Sequence, residues 1–133
     1  MATFRWTHSN TTIHNIGFHI IWCPKYRRKV LVGEVETRLK ELLLAKAAEI
    51  NVLIDTLEIM PDHVHLFVKA TPVASPHWIV QQLKGNTSRL LRLEFAHLKS
   101  TLPTLWTRSY YIESVGHISE ATIKKYIEDQ KGK

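Results

Sequence analysis

VLIDTLEIMPDHVHLFVKA, Val52 to Ala70, is the stretch that decides how this chain folds. Two runs rich in β-branched and apolar residues, Val52–Met60 and His63–Ala70, meet at Pro61-Asp62, two turn formers that reverse the chain tightly. They predict a connected strand pair. In the second strand alternate side chains share a face, so Val64, Leu66 and Val68 point one way and His63, His65, Phe67 and Lys69 the other. The apolar set belongs against helices, which leaves both imidazoles on the opposite, more open face. Two imidazoles at this spacing can reach one divalent ion, each through a neutral nitrogen. A pair of surface or hydrogen-bonded histidines is the plainer reading. With eight histidines in the chain, such a pair arises by chance about half the time.

Outward from this pair, Thr12 to Cys23 (TIHNIGFHIIWC) is β-branched and aromatic and is stopped by Pro24, which predicts a strand. Glu34 to Ile50 places Val35, Leu39, Leu42, Leu43, Ala47 and Ile50 at helical spacing. Beyond the loop TPVASP, His77 to Leu98 reads as a second helix, bent or split at Gly85-Asn86. Arg108 to Val115 reads as a strand, and Ser119 as the N-cap of a last helix from Glu120 to Gln130. The order β-α-β-β-α-β-α predicts an α+β fold. Its plan is ferredoxin-like, also called RRM-like: an antiparallel four-stranded sheet with helices on one face, plus a C-terminal helix.

At 133 residues the chain is expected to form one domain, residues 1–133. No apolar run approaches the roughly 20 residues that span a bilayer. The start, MATFRWTHSN, lacks a signal peptide's apolar core, so a cytoplasmic location with no membrane partner is expected. The single cysteine, Cys23, excludes an internal disulfide and a multi-cysteine metal site. Eighteen Lys+Arg against twelve Asp+Glu give +6, which favours an anionic partner, with nucleic acid the first candidate.

Lys25, Tyr26, Arg27 and Arg28 interleave aromatic and basic side chains, suited to bases and phosphates or simply to a solvated loop. Lys84, Asn86, Arg89 and Arg92 form a second polar, basic strip on the middle helix. On the last helix Tyr126 and Gln130 stand one turn apart and project together. A tyrosine hydroxyl can attack phosphorus once a metal neutralises the phosphate, and a glutamine carbonyl can complete a coordination sphere without adding charge. Each also has an ordinary reading, as a half-buried packing residue and a solvated helix end.

The succession HIIWCPKYRRKV, MPDHVHLFV, LKGNTSRL, LWTRSYYIESVG and ISEATIKKYIEDQ resembles the small single-tyrosine HUH transposases of the TnpA type. REP-associated tyrosine transposases are close relatives of that family. The resemblance runs from about His14 to Gln130. It implies that His63, His65 and Gln130 bind Mg²⁺ or Mn²⁺, that Tyr126 is the catalytic nucleophile, and that no nucleotide cofactor is used. It places Lys25, Tyr26 and Arg27 in a structural or DNA-contacting segment. It further implies cleavage and rejoining of single-stranded DNA at imperfect hairpins near insertion-sequence ends, through a 5′-phosphotyrosine. The expected protein is a prokaryotic homodimer, nucleoid-associated when on DNA, whose C-terminal helix (119–133) can dock on the partner's histidine pair. The competing expectations are a replication-initiator or relaxase-type nickase with the same chemistry, and a non-catalytic nucleic-acid-binding module.

Overall fold

The computed structural model describes residues 7–8, 13–14 and 16–115. Strands β1 (Thr7–His8) and β2 (Ile13–His14) pair with each other, apart from the main sheet. The main sheet holds β3 (Ile16–Trp22), β4 (Leu53–Met60), β5 (His63–Ala70) and β6 (Tyr111–Val115) in the order β4-β5-β3-β6, with every neighbour antiparallel. This is the strand order of the ferredoxin-like plan. The C-terminal helix anticipated over 120–130 lies outside the described residues.

Helix α1 (Gly33–Glu49) buries Val35, Leu39, Leu42, Leu43 and Ala47, the stripe its sequence specifies. It stops because Asn51 takes a left-handed conformation (φ 59°). The Asn51 N–H then donates to Ala48 O and the Val52 N–H to Ala47 O, two bonds that close the helix end. Helix α2 (Pro76–Glu94) starts with Pro76 in its first turn and with Ser75 Oγ accepting from the Trp78 N–H at 3.1 Å.

Two expectations are corrected here. Helix α2 is not interrupted at Gly85-Asn86; it runs on to Glu94, and the break comes at Phe95, before α3 (Ala96–Thr101). Burial decides this. Leu83, Thr87 and Leu91 are fully enclosed, and Thr87 Oγ1 donates to Leu83 O at 2.8 Å while accepting from Trp106 Nε1 at 3.0 Å. These contacts outweigh the roughly 1 kcal/mol that a mid-helix glycine costs. The last strand begins at Tyr111, not Arg108, because the carbonyls of Thr107, Arg108 and Ser109 turn to the Lys84 ammonium.

Phe18, Ile20 and Trp22 of β3 and Val64, Leu66 and Val68 of β5 join the inward residues of α1 and α2 in one core. The helices therefore cover one face of the sheet. Among the described residues no helix is long and apolar enough to cross a membrane.

Gly85 is exposed, and a Cβ built on it would meet nothing within 4 Å. Gly85→Ala should therefore stabilise the protein by about 0.5–1 kcal/mol and raise Tm by about 2–5 °C. An unchanged or lower melting temperature in a thermal scan would contradict this account of α2.

Candidate active site

His63 and His65 leave β5 on the face opposite Val64, Leu66 and Val68, as alternation requires. The expectation of an open face does not hold. His65 is 6% exposed, Phe67 1% and Lys69 8%, and His19 on the neighbouring strand is 1% exposed. Only His63, at the strand's start, is partly accessible. The cross-strand register explains part of this: β3 and β4 flank β5 along its length and set their own side chains beside it.

The register also selects the polar neighbours. Glu58 on β4 stands opposite His65, and its Oε1 lies 3.1 Å from His65 Nδ1. Asp62, in the β4–β5 turn, places Oδ1 2.8 Å from His63 Nδ1. A carboxylate only accepts, so both Nδ1 atoms carry a hydrogen, and in the neutral form of each ring Nε2 is the lone-pair nitrogen. His19 on β3 brings its Nε2 against His65 Nε2, with ring centroids 4.2 Å apart. Further across the sheet His19 pairs with Glu113 and Ile21 with Tyr111, whose hydroxyl donates to Glu113 Oε2.

Burial, and next to it the neighbouring His65, lowers the His19 pKa to about 4. The hydrogen bond from His63, and then Arg27, hold the Asp62 carboxyl below its usual range. Arg27 Nη2 reaches Asp62 Oδ2 at 2.9 Å, so Asp62 joins the loop after β3 to the histidine pair. That loop is a single 3₁₀ turn, Lys25–Arg27, in which Tyr26 (φ 60°) and Arg27 (φ 51°) are both left-handed. Tyr26 and Arg28 are exposed, and Lys25 Nζ sits 5.3 Å from the centre of the Tyr26 ring.

The strip on α2 divides. Lys84 is half-buried, and its Nζ donates to Thr107 O at 2.6 Å and Ser109 O at 3.3 Å. It closes a loop and does not join a solvent-facing basic strip, because its position on α2 faces residues 107–110. Asn86 is half-buried and its Oδ1 accepts from Arg89 Nη2 at 3.4 Å. Arg89 and Arg92 do line a common groove of about 430 Å³ with Lys99, although Arg92 also donates to Leu102 O at 3.1 Å. This groove belongs to the helical layer, across the sheet from the histidines.

Tyr126 and Gln130 lie outside the described residues. Among the described residues no group of three or more His, Cys, Asp and Glu is arranged to hold a metal. His63 and His65 offer two nitrogen donors, so a metal held there would need further ligands from other groups. Glu58, Asp62 and His19 were missed in the sequence. Glu58 was within reach: a two-residue turn at Pro61-Asp62 pairs Met60 with His63 and hence Glu58 with His65.

The chain matches a family model described as "Transposase IS200 like" over residues 12–130. It is 42% identical over 123 residues to the ISDra2 transposase TnpA of Deinococcus radiodurans, covering 91% of this chain and 88% of that protein. It is 33% identical over 118 residues to a Salmonella typhimurium transposase for insertion sequence element IS200, covering 87% of this chain and 77% of that one. A crystal structure of a Deinococcus radiodurans protein assigned as a transposase has a TM-score of 0.77 at 37% identity, covering 93% and 97% of the two chains. A REP-associated tyrosine transposase bound to a REP hairpin shares the fold, with a TM-score of 0.61 at 12% identity over 92% of this chain and 67% of its own.

Because native His19 resists protonation until about pH 4 while an unfolded histidine titrates near 6.5, the unfolded state binds the extra proton first. Stability should fall as pH drops from about 6.5 to about 4, by up to about 2–3 kcal/mol, and this part of the slope should vanish in His19→Gln. Thermal melts of both proteins across that range check it; parallel slopes would contradict it.

Proposed function

This chain belongs to the IS200-like transposase family, and on that premise we propose that it cleaves and rejoins single-stranded DNA at hairpin-marked insertion-sequence ends through a covalent link to Tyr126. The observation that carries the proposal is the state of the two imidazoles. Asp62 and Glu58 accept hydrogen bonds from Nδ1 of His63 and His65, which leaves Nε2 of each neutral ring as the lone-pair donor. With the Gln130 amide oxygen they would make a neutral donor set suited to Mg²⁺ or Mn²⁺. Bound there, the ion supplies charge neutralisation and polarisation of the scissile phosphate. His65 must give up its contact with His19 to use the same nitrogen as a ligand.

The Tyr126 oxygen attacks phosphorus, the bond from phosphorus to the 3′ oxygen breaks, and the 3′-hydroxyl leaves with a proton. The phenol, ordinarily titrating near 10, loses its own. The product is a 5′-phosphotyrosine. Attack by another strand's 3′-hydroxyl reverses the step and frees Tyr126, so the phosphodiester bond energy is conserved and no nucleotide cofactor is required. A fold neighbour captured with a hairpin supports hairpin DNA as the partner. Exposed Tyr26 and Arg28, and the groove lined by Arg89 and Arg92, offer stacking and phosphate contacts. The working unit proposed is a homodimer in which residues 119–133 complete the partner's histidine pair. An origin nickase would use the same chemistry at a single site, but the family match is to transposases.

Incubated with a labelled single-stranded terminal hairpin and Mg²⁺, the protein should form a covalent adduct that Tyr126→Phe abolishes. His63→Ala and His65→Ala should lose at least about 100-fold in cleavage rate while hairpin binding persists in a gel-shift assay. An undiminished adduct in the Phe variant would remove Tyr126 as the nucleophile.

A further inference from the structure

We propose that Glu58 and Asp62, the latter held by Arg27, are positioning residues that set which nitrogen of each histidine is offered to the metal. The inference rests on the metal-binding reading of His63 and His65. It adds the residues that make that reading chemically workable, and it gives Arg27 a task other than phosphate contact.

In water a neutral imidazole can carry its proton on either nitrogen, and the choice is set by what the other nitrogen bonds. On β5 the two rings receive separate carboxylates from different places. Glu58 comes from the paired strand through the hairpin register, and Asp62 comes from the turn itself. The bonds, 3.1 and 2.8 Å, both fall on Nδ1, so both rings adopt the same tautomer and present Nε2. A carboxylate behind a ligating imidazole also raises its basicity and fixes its plane. The His19 contact is compatible with this assignment: its Nε2 meets His65 Nε2, where His65 can present a lone pair. Without Glu58, His65 could carry its proton on Nε2.

Asp62 is itself oriented. Its Oδ1 takes His63 and its Oδ2 takes Arg27, so the guanidinium holds the carboxylate plane that the imidazole reads. The loop bearing Arg27 is tied to the same corner by the Leu31 N–H to Pro61 O bond at 3.1 Å, and to the far side by Lys25 N–H to Leu105 O at 2.8 Å. The run Arg27–Asp62–His63 is thus one continuous chain of hydrogen bonds from the basic loop to Nδ1 of His63, the ring nitrogen opposite the one offered to the metal.

Two measurements on the full-length, metal-free protein test this. Long-range ¹H–¹⁵N NMR at pH 7.5 should find His63 and His65 with the proton on Nδ1. Asp62→Ala should release His63 alone to the other tautomer and Glu58→Ala His65 alone, while Asp62→Asn and Glu58→Gln, which keep an acceptor oxygen, should restore the wild-type pattern. By calorimetric titration with Mn²⁺, the two alanine variants should bind about 10–100-fold more weakly. Arg27→Ala should lose less, and should add little when placed on Asp62→Ala, because it acts through that carboxylate. Unaltered tautomers in the alanine variants would overturn the proposal, as would an Arg27→Ala loss that adds fully to the Asp62→Ala loss. Wild-type Mn²⁺ affinity in His63→Ala and His65→Ala would instead overturn the metal-site reading, with the tautomer result still deciding the role of the carboxylates.

Discussion

Strand β5 is buried on both faces, and its register is the constraint on which everything else depends. Val64, Leu66 and Val68 fill the core under the helices, while His65, Phe67 and Lys69 are enclosed on the other side. A slip of one residue would drive the imidazoles and an ammonium into the apolar layer and expel three aliphatic side chains. At roughly 1.5–3 kcal/mol for each aliphatic group, the loss rivals the 5–15 kcal/mol by which domains are stable at all. Core packing therefore fixes the register that places the histidines. The same register brings Glu58 opposite His65 and His19 beside it.

What the register assembles is a polar chain inside a buried face, which survives only if donors and acceptors alternate. Glu58 accepts from His65, whose Nε2 faces that of His19. A proton added to this run would leave two donors facing each other in a poorly hydrated place, at the cost of a desolvated, unmatched charge. Burial, with His65 close by, is accordingly what keeps His19 neutral down to about pH 4. Neutral is the only state in which an imidazole can ligate a cation.

Much of this was legible in the chain because it followed from strict periods. Alternation placed the histidines opposite the core residues of β5, and the 3.6-residue stripe of α1 matched its buried set residue for residue, save Ile50, which lies at the helix end. Failures came where tertiary contacts outvote local preference. Gly85 signalled a break that buried Thr87 and Leu91 forbid, and Arg108 signalled a strand whose carbonyls Lys84 diverts. Lys84 itself looked like a surface cation because nothing in its neighbourhood along the chain announces the loop it closes. His19 passed as one more β-strand residue, since its meeting with His65 depends on a pairing between segments far apart in sequence. Glu58 needed only the hairpin register, a shorter step that counting back from the turn supplies.

The loop after β3 is the part of the molecule whose geometry stability does not explain. Two consecutive non-glycine residues, Tyr26 and Arg27, sit in the left-handed region, at a cost of about 1–2 kcal/mol each. The ion pair this conformation makes possible has an Arg27 side chain that is 70% exposed, and exposed pairs contribute about 0–1 kcal/mol. The conformation is therefore held by backbone hydrogen bonds to Pro24, Leu105 and Pro61 that clamp the segment at both ends. Strain maintained in this way at the edge of a site reflects a demand on position. Here the position is that of a guanidinium against Asp62, one bond removed from His63, while the rigid turn leaves Tyr26 and Arg28 facing solvent beside it. One short segment can then orient His63 through Asp62 while leaving an aromatic and a cationic side chain exposed beside it.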